Sequence, residues 1–419
     1  MQRFSTGLLT VLSIILLASM ALAGCAPKSP QTSNSDGWKW PERIHVCAAG
    51  SSGIAAYVSW TTIMERDTGM VIRVVPENNV AARYQNVASG DMFIFSIGKD
   101  GVRDALEATP AEYALDPPTG FQARIVWISG ISYSGVFVRG DSKINSLADI
   151  KPGIRWSVWS KAENILKIPR SIACGWCQLR EEDVQWIVAS STDGAVRAVT
   201  EGRADIMWYF PSAAAVQEAS SSPYGIKFID LNSEADPAGA ARFVAINPMY
   251  NFAPMKYGVV KEAIGHWGTV GEKYEITRAE SDPDLVYHFA KWLDENYEKY
   301  RYTEAQNETR TRKDLLNGLQ TTYIPCHEGL IRYLKDVGEW TPAHDRRQAQ
   351  NVALLTAYVN AYSEALKQAK QQGIEISSKN TKWIDFWENY KKNVKKLPPI
   401  AMHQSLTIDA PWVAALGLK

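Results

Sequence analysis

The stretch Arg43-Ile44-His45-Val46-Cys47-Ala48-Ala49-Gly50-Ser51-Ser52-Gly53 decides the fold. Its first seven residues alternate and then turn apolar, as a strand entering a core does. The Gly/Ser turn that follows leads into Ile54, Trp60 and Met64, which fall at helical spacing. Strand, tight turn and helix open an α/β unit. Further strands are expected at Met70 to Val75 and at Asp91 to Ile97, with a helix over Val80 to Ala88 between them. A second set follows, with strands at Tyr133 to Val138, Ile154 to Trp159, Val184 to Val188 and Ile206 to Tyr209. Helices at Ala162 to Cys174 and Gly194 to Thr200 connect the last three.

The two sets echo each other. Ala88-Ser89-Gly90-Asp91 precedes Met92-Phe93-Ile94-Phe95 much as Thr200-Glu201-Gly202-Arg203-Ala204-Asp205 precedes Ile206-Met207-Trp208-Tyr209. In each, a helix ends at a glycine suited to a left-handed cap, and a buried strand follows. Two such lobes imply a ligand clamped between them, at the carboxyl ends of strands where helix amino termini point.

Upstream, Met1-Gln2-Arg3 and the apolar run Leu8 to Leu22 have the length of a signal-peptide core and fall short of a membrane span. Leu22-Ala23-Gly24-Cys25 reads as a lipobox, with cleavage before Cys25 and lipid on its thiol. Residues 1–24 are then a signal peptide and 25–42 a lipid-anchored linker. The chain has 419 residues, with 45 Lys+Arg against 45 Asp+Glu. That balance argues against a nucleic-acid partner, which needs clustered positive charge. Hydrophobic residues make up 46% of the chain, enough for a substantial core.

The order Gly50-Ser51-Ser52-Gly53, then Val138-Arg139-Gly140-Asp141-Ser142-Lys143-Ile144-Asn145-Ser146-Leu147-Ala148-Asp149-Ile150, then Glu201-Gly202-Arg203-Ala204-Asp205, resembles the TAXI group of TRAP-transporter solute receptors. Tyr257 to Tyr300 and Cys326-His327-Glu328-Gly329-Leu330-Ile331-Arg332-Tyr333 look like the end of that domain, so the resemblance covers about 43–340. It implies a type II periplasmic binding protein: an α/β chain of two lobes with hinge crossings, closing over a small organic acid. The partners it implies are TRAP membrane subunits, with no enzyme activity and no cofactor. Lobe 1 is expected at 43–130 and 245–340, lobe 2 at 131–244, and a C-terminal helical extension at 341–419. Hinges are expected near Ile128–Tyr133 and Phe228–Ala245. Where such receptors carry a Gly- and Ser-rich turn, this chain reads Val158-Trp159-Ser160-Lys161-Ala162-Glu163.

Candidate ligand residues follow. Ser51, Ser52 and Gly53 open a helix and offer an anion cradle or a plain N-cap turn, with Tyr57 one turn on. Asn78 and Asn79 sit at an equivalent rim position or form an N-cap pair. Arg83, a turn into that helix, is a bidentate clamp or a solvated side chain. On lobe 2, Trp159, Ser160 and Lys161 replace the flexible turn with an indole, a hydroxyl and a cation. Trp208, Tyr209 and Phe210 end the last strand, as aromatic platforms or as packing. Together they suggest a ligand with one acid group and an apolar or planar body. Cys174-Gly175-Trp176-Cys177 has thioredoxin-like spacing near a helix end, which leaves open a thiol-disulfide oxidoreductase, a local disulfide or structural thiols. A lipoprotein adaptor or sensor that kept the two-lobe shape is a third reading. No metal site is expected, because Cys47 and Cys326-His327 lack paired ligand spacing. Beyond 340, Arg346 to Gln371 and Trp383 to Val394 are amphipathic and should dock on the chain's own lobe or on a partner.

Overall fold

A computed structural model describes residues 37–256, 258, 260–403 and 405–418, except for the side chains of Ser51 and Ser52. The expected signal peptide, Cys25 and the tether to residue 36 lie outside the described residues. The strands are β1 Arg43–Ala48, β2 Val71–Pro76, β3 Ile94–Gly98, β4 Ala123–Arg139, β5 Ile154–Val158, β6 Val184–Val188, β7 Ile206–Tyr209, β8 Ile226–Ile229, β9 Asn251–Pro254 and β10 Trp267–Arg278. The helices are α1 Gly50–Thr68, α2 Val80–Ser89, α3 Lys99–Glu107, α4 Glu163–Arg170, α5 Thr192–Thr200, α6 Ala214–Ser220, α7 Pro237–Ile246, α8 Pro283–Glu295, α9 Tyr297–Tyr300, α10 Arg312–Leu319, α11 Glu328–Asp336, α12 Pro342–Gln371 and α13 Thr381–Asn389.

Lobe 1 orders its strands β2-β1-β3-β10-β4, and lobe 2 orders them β6-β5-β7-β4, with β8 on the other side of β4. In each lobe the first three strands are parallel, and the crossing strand runs antiparallel to them. The repeat seen in the sequence is therefore a repeat of topology. Gly90, the C-cap of α2, and Gly202, just past α5, take positive φ values of 88° and 73°, as the echoed helix ends require.

Two long strands join the lobes. β4 pairs with β10 through its first half and with β7 and β8 through its second. The crossing lies at Gly130, where φ is 141° and an added Cβ would stand 2.6 Å from Gln306 Cγ. A strand read as six residues from Tyr133 is in fact seventeen, because its lobe 1 half is buried on both faces and shows no alternation. The return crossing differs from the expected 228–245. That segment holds β8, on the lobe 2 half of β4, and α7, which packs on Ser171–Trp176. The chain returns in β10, whose register against β4 shifts between Lys273 and Tyr274 and again between Glu275 and Ile276.

Helix starts follow local chemistry. Asp236 before Pro237 and Asp282 before Pro283 accept backbone N–H bonds at 2.8 Å, while proline preorganises the first turn. Thr341 before Pro342 starts the 30-residue α12, whose buried stripe includes Asn351, Leu354, Leu355, Tyr358, Tyr362 and Leu366. This extension docks on lobe 1. Trp383 Nε1 donates to Ala114 O at 2.9 Å, Trp387 Nε1 to Glu107 O at 2.8 Å, and Asn351 Nδ2 to Thr322 O at 3.1 Å. No helix among the described residues is long and apolar enough to cross a membrane.

Candidate functional site

Where β4 and β10 cross, the lobes enclose a cavity of about 270 Å³. Lobe 1 lines it from the ends of β1 and β3, from α1 and α2, and from the turn after α9. Lobe 2 supplies Tyr209, Phe210, Ser212 and Ala213, and the crossing strand β4 adds Ser129, Ser132 and Tyr133. The charged lining is Arg83, Lys273 and Arg310 against Glu275 and Glu304.

Glu275 is fully buried on β10. Tyr57 OH donates to its Oε2 at 2.5 Å and Arg310 Nη2 to its Oε1 at 3.0 Å. Burial, reinforced by the Glu275 charge, holds the Tyr57 phenol well above its usual pKa, so it remains a donor. This triad forms the floor of the cavity. Glu304 is also engaged, accepting from Gln306 N at 2.8 Å.

Arg83 is different. It is only 7% exposed, and its Nε has no hydrogen-bond partner; no ion pair to Arg83 is found among the described residues. Lys273 likewise has no ion-pair partner among the described residues, and its Nζ lies 5.1 Å from the centre of the Phe210 ring across the cleft. Burial pushes the Lys273 ammonium below its usual pKa. Asp100 and Glu304 oppose that shift and the Arg83 charge adds to it, so the two cations act on one another. Arg310 also keeps Nε and Nη1 unpartnered in the interior. Arg83 is thus a buried cation without an ion pair among the described residues, half-buried Lys273 faces the same space, and Arg310 is balanced by Glu275. An anion between Arg83 and Lys273 offsets the cost of holding them there.

The expected ligand residues divide. Gly53, Tyr57, Tyr209 and Phe210 line the cavity. Gly50-Ser51-Ser52-Gly53 forms the first turn of α1 and not a loop before it. Two of its amides are already engaged, Gly50 N by Asn78 Oδ1 at 3.0 Å and Gly53 N by Ala49 O at 3.0 Å. The side chains of Ser51 and Ser52 lie outside what is described. Asn78 thus fastens the turn, and Asn79 caps α2 by accepting from Ala82 N at 3.1 Å. Neither asparagine lines the cavity. Trp159, Ser160 and Lys161 do not line it either. Trp159 packs edge-on against Tyr209 at 5.4 Å, and Ser160 Oγ accepts from Ala162 N at 3.0 Å. Trp208 is buried behind the wall, donating to Thr269 Oγ1 at 3.1 Å.

Sequence reading missed Lys273, Glu275 and Arg310. The run Gly271-Glu272-Lys273-Tyr274-Glu275-Ile276-Thr277 held the signal: charges two apart inside a β-rich stretch, a pattern that calls for buried partners.

Burial pushes the Cys174 thiol up to about 11 and the Cys177 thiol up to about 12. A redox nucleophile needs the opposite shift. Among the described residues no cluster of three or more His, Cys, Asp or Glu side chains could hold a metal ion.

Matching strand orders in two lobes, two crossing strands and a cavity at the crossing define a type II periplasmic binding-protein fold. The chain belongs to the NMT1-like family, whose sequence model matches residues 52–338, more than half its length. No curated protein sequence matches it. Among solved structures it is similar to a putative periplasmic sulfonate-binding protein of an ABC transporter from Methylobacillus flagellatus KT, at 14% identity over 87% of this chain and 99% of that one, with a TM-score of 0.38. The binding component of an ABC phosphonate transporter from Pseudomonas aeruginosa is similar at 12% identity over 78% and 99%, with a TM-score of 0.38. The periplasmic aliphatic sulphonate binding protein SsuA from Escherichia coli is similar at 13% identity over 90% and 85%, with a TM-score of 0.33.

Proposed function

We propose that this chain is a lipid-anchored extracytoplasmic receptor that captures a small organic acid between its lobes and delivers it to the membrane subunits of a TRAP-type secondary transporter, with no catalysis of its own. The observation that carries the reading is the cavity's unbalanced charge. Arg83 is buried in its lining without an ion-pair partner among the described residues, and it faces the same space as Lys273. The transporter type rests on the Val138–Ile150 and Glu201–Asp205 motifs, and the anchor on Leu22-Ala23-Gly24-Cys25.

The ligand we infer carries one acid group held by Arg83 and Lys273 and an apolar or planar body against Tyr209 and Phe210. Among the described residues lobe 2 brings no cation to the cavity, so a short dicarboxylate or glutamate would leave one carboxylate without a cationic partner on that side. The raised thiol pKa values disfavour the thiol-disulfide alternative, and an open cavity disfavours an adaptor with a sealed cleft.

Native mass spectrometry of the freshly purified protein, followed by calorimetric titration of the solute found, tests the reading. A co-purified monoacid that binds more tightly than glutamate is expected. Tight glutamate or short-dicarboxylate binding contradicts the ligand class. Absence of any small-molecule binding contradicts the receptor.

A further inference from the structure

Beside the cavity, the lobes touch through charged groups that belong to neither its wall nor its floor. Lys167 of α4, in lobe 2, places Nζ 2.7 Å from Asp104 Oδ1 of α3, in lobe 1. Arg103 Nη2 stands 3.2 Å from the same oxygen. One turn earlier on α3, Asp100 Oδ2 accepts from Tyr250 OH at 2.9 Å. Tyr250 follows α7, the helix that rests on lobe 2, and packs edge-on against Phe243 of α7 at 6.4 Å. Asp100 and Asp104, four apart, present one helix face to the other lobe. Asp104 is 4% exposed, so its pairing is made largely out of solvent.

The helix that carries both acids is braced from behind. Trp387 Nε1 and Lys391 Nζ donate to Glu107 O at 2.8 and 3.0 Å, at the end of α3. The C-terminal extension therefore holds α3 while α4 approaches it from the other side.

We propose that Lys167 on Asp104, with Tyr250 on Asp100, is an ionic latch between the lobes, and that the extension serves to hold its lobe 1 half in place. Removing Lys167 takes from buried Asp104 its nearer cation and leaves Arg103 alone beside it, whereas parting the lobes returns Lys167 and Asp104 to water. The latch therefore biases an equilibrium between closed and open arrangements. Because its groups lie outside the cavity, the bias acts whether or not a solute is held, and it sets the fraction of molecules competent to bind. Only this consequence for affinity rests on reading the cavity as the solute site; the latch itself does not.

The test uses the full-length chain with no solute added. Spin labels carried on unnatural residues at Val71 in lobe 1 and Val188 in lobe 2, both exposed, report the distance between lobes. The unsubstituted chain is expected to show mainly the shorter distance. Lys167→Glu should make a longer distance the major population, Lys167→Met should give a mixture, and Lys167→Arg should restore the short one. Should Lys167→Glu not fold, Lys167→Met combined with Tyr250→Phe carries the same expectation, with circular dichroism confirming the fold. Distance distributions that match the unsubstituted chain in the folded charge-removing variants overturn the latch. So does equal opening by Lys167→Arg. Neither outcome bears on whether the chain binds a solute, which the calorimetry above decides separately.

Discussion

The two lobes share a strand order and divide the work unequally. Lobe 1 presents Arg83, Lys273, Arg310, Glu275 and Glu304 to the cavity, and is backed by an extension of nearly eighty residues; lobe 2 presents Tyr209, Phe210, Ser212 and Ala213, with uncharged Ser132 and Tyr133 of β4 beside them. Their ion pairs differ in kind as well. Glu275 and Arg310 are 0% and 3% exposed at the side chain, whereas Asp205 and Arg155 of lobe 2 are 29% and 39% exposed. Topology alone thus does not set function. The same scaffold holds charge in a dry interior on one side and supplies a largely apolar cover on the other.

The largest effect should come from breaking the lobe 1 triad. Arg310→Met leaves the Glu275 side chain buried without its cationic partner and with Tyr57 as its remaining donor, and should cost ~3–5 kcal/mol in denaturant unfolding. A loss under 1 kcal/mol would mean that the floor is wetter than its exposure indicates. Next is the extension. His403 is 4% exposed, bonds Asn351 Oδ1 at 2.9 Å, and is pushed down to about 3 by burial and then by Arg347. Folded, it stays neutral where the unfolded chain takes up a proton. The stabilisation is therefore complete above pH ~6.5 and is lost as pH falls toward 3, by about 2 kcal/mol at pH 5. His403→Gln should flatten that slope, which pH-dependent melts of the two proteins would show.

Two substitutions then probe the shared cavity. Arg83→Met should weaken solute binding roughly tenfold to a hundredfold without lowering stability, since it removes one charge-assisted contact. Phe210→Ala, on the lobe 2 side, should cost a smaller factor, about tenfold or less. Calorimetry that found the reverse order would shift the weight of recognition to lobe 2. The smallest effect belongs to lobe 2's half-exposed pair: Arg155→Ala should cost ~1 kcal/mol or less.

The fold was largely legible in the sequence because both lobes begin each unit with an alternating strand and a glycine-marked turn. β6 and β7 fall at the expected residues, and the glycine echo at 90 and 202 marks real helix ends. The crossing strands were less legible. A strand buried on both faces carries no period, and β10 lies far from the units it completes, so the return hinge was expected too early. For the site, residues next to the strand ends could be found, as Gly53, Tyr57, Tyr209 and Phe210 were. Trp159, Ser160 and Lys161 could not be excluded, because the direction of a loop is set by packing, here against Tyr209. Arg83 could not be told from a solvated arginine, since its burial depends on neighbours distant in sequence.

The position of a bound anion is decisive for the site. A crystal structure of the protein with its co-purified solute measures that directly. It should show the acid group within hydrogen-bond distance of Arg83 and Lys273, and the rest of the solute against Phe210 and Tyr209. Solute found elsewhere, or an acid group turned away from both cations, would contradict it.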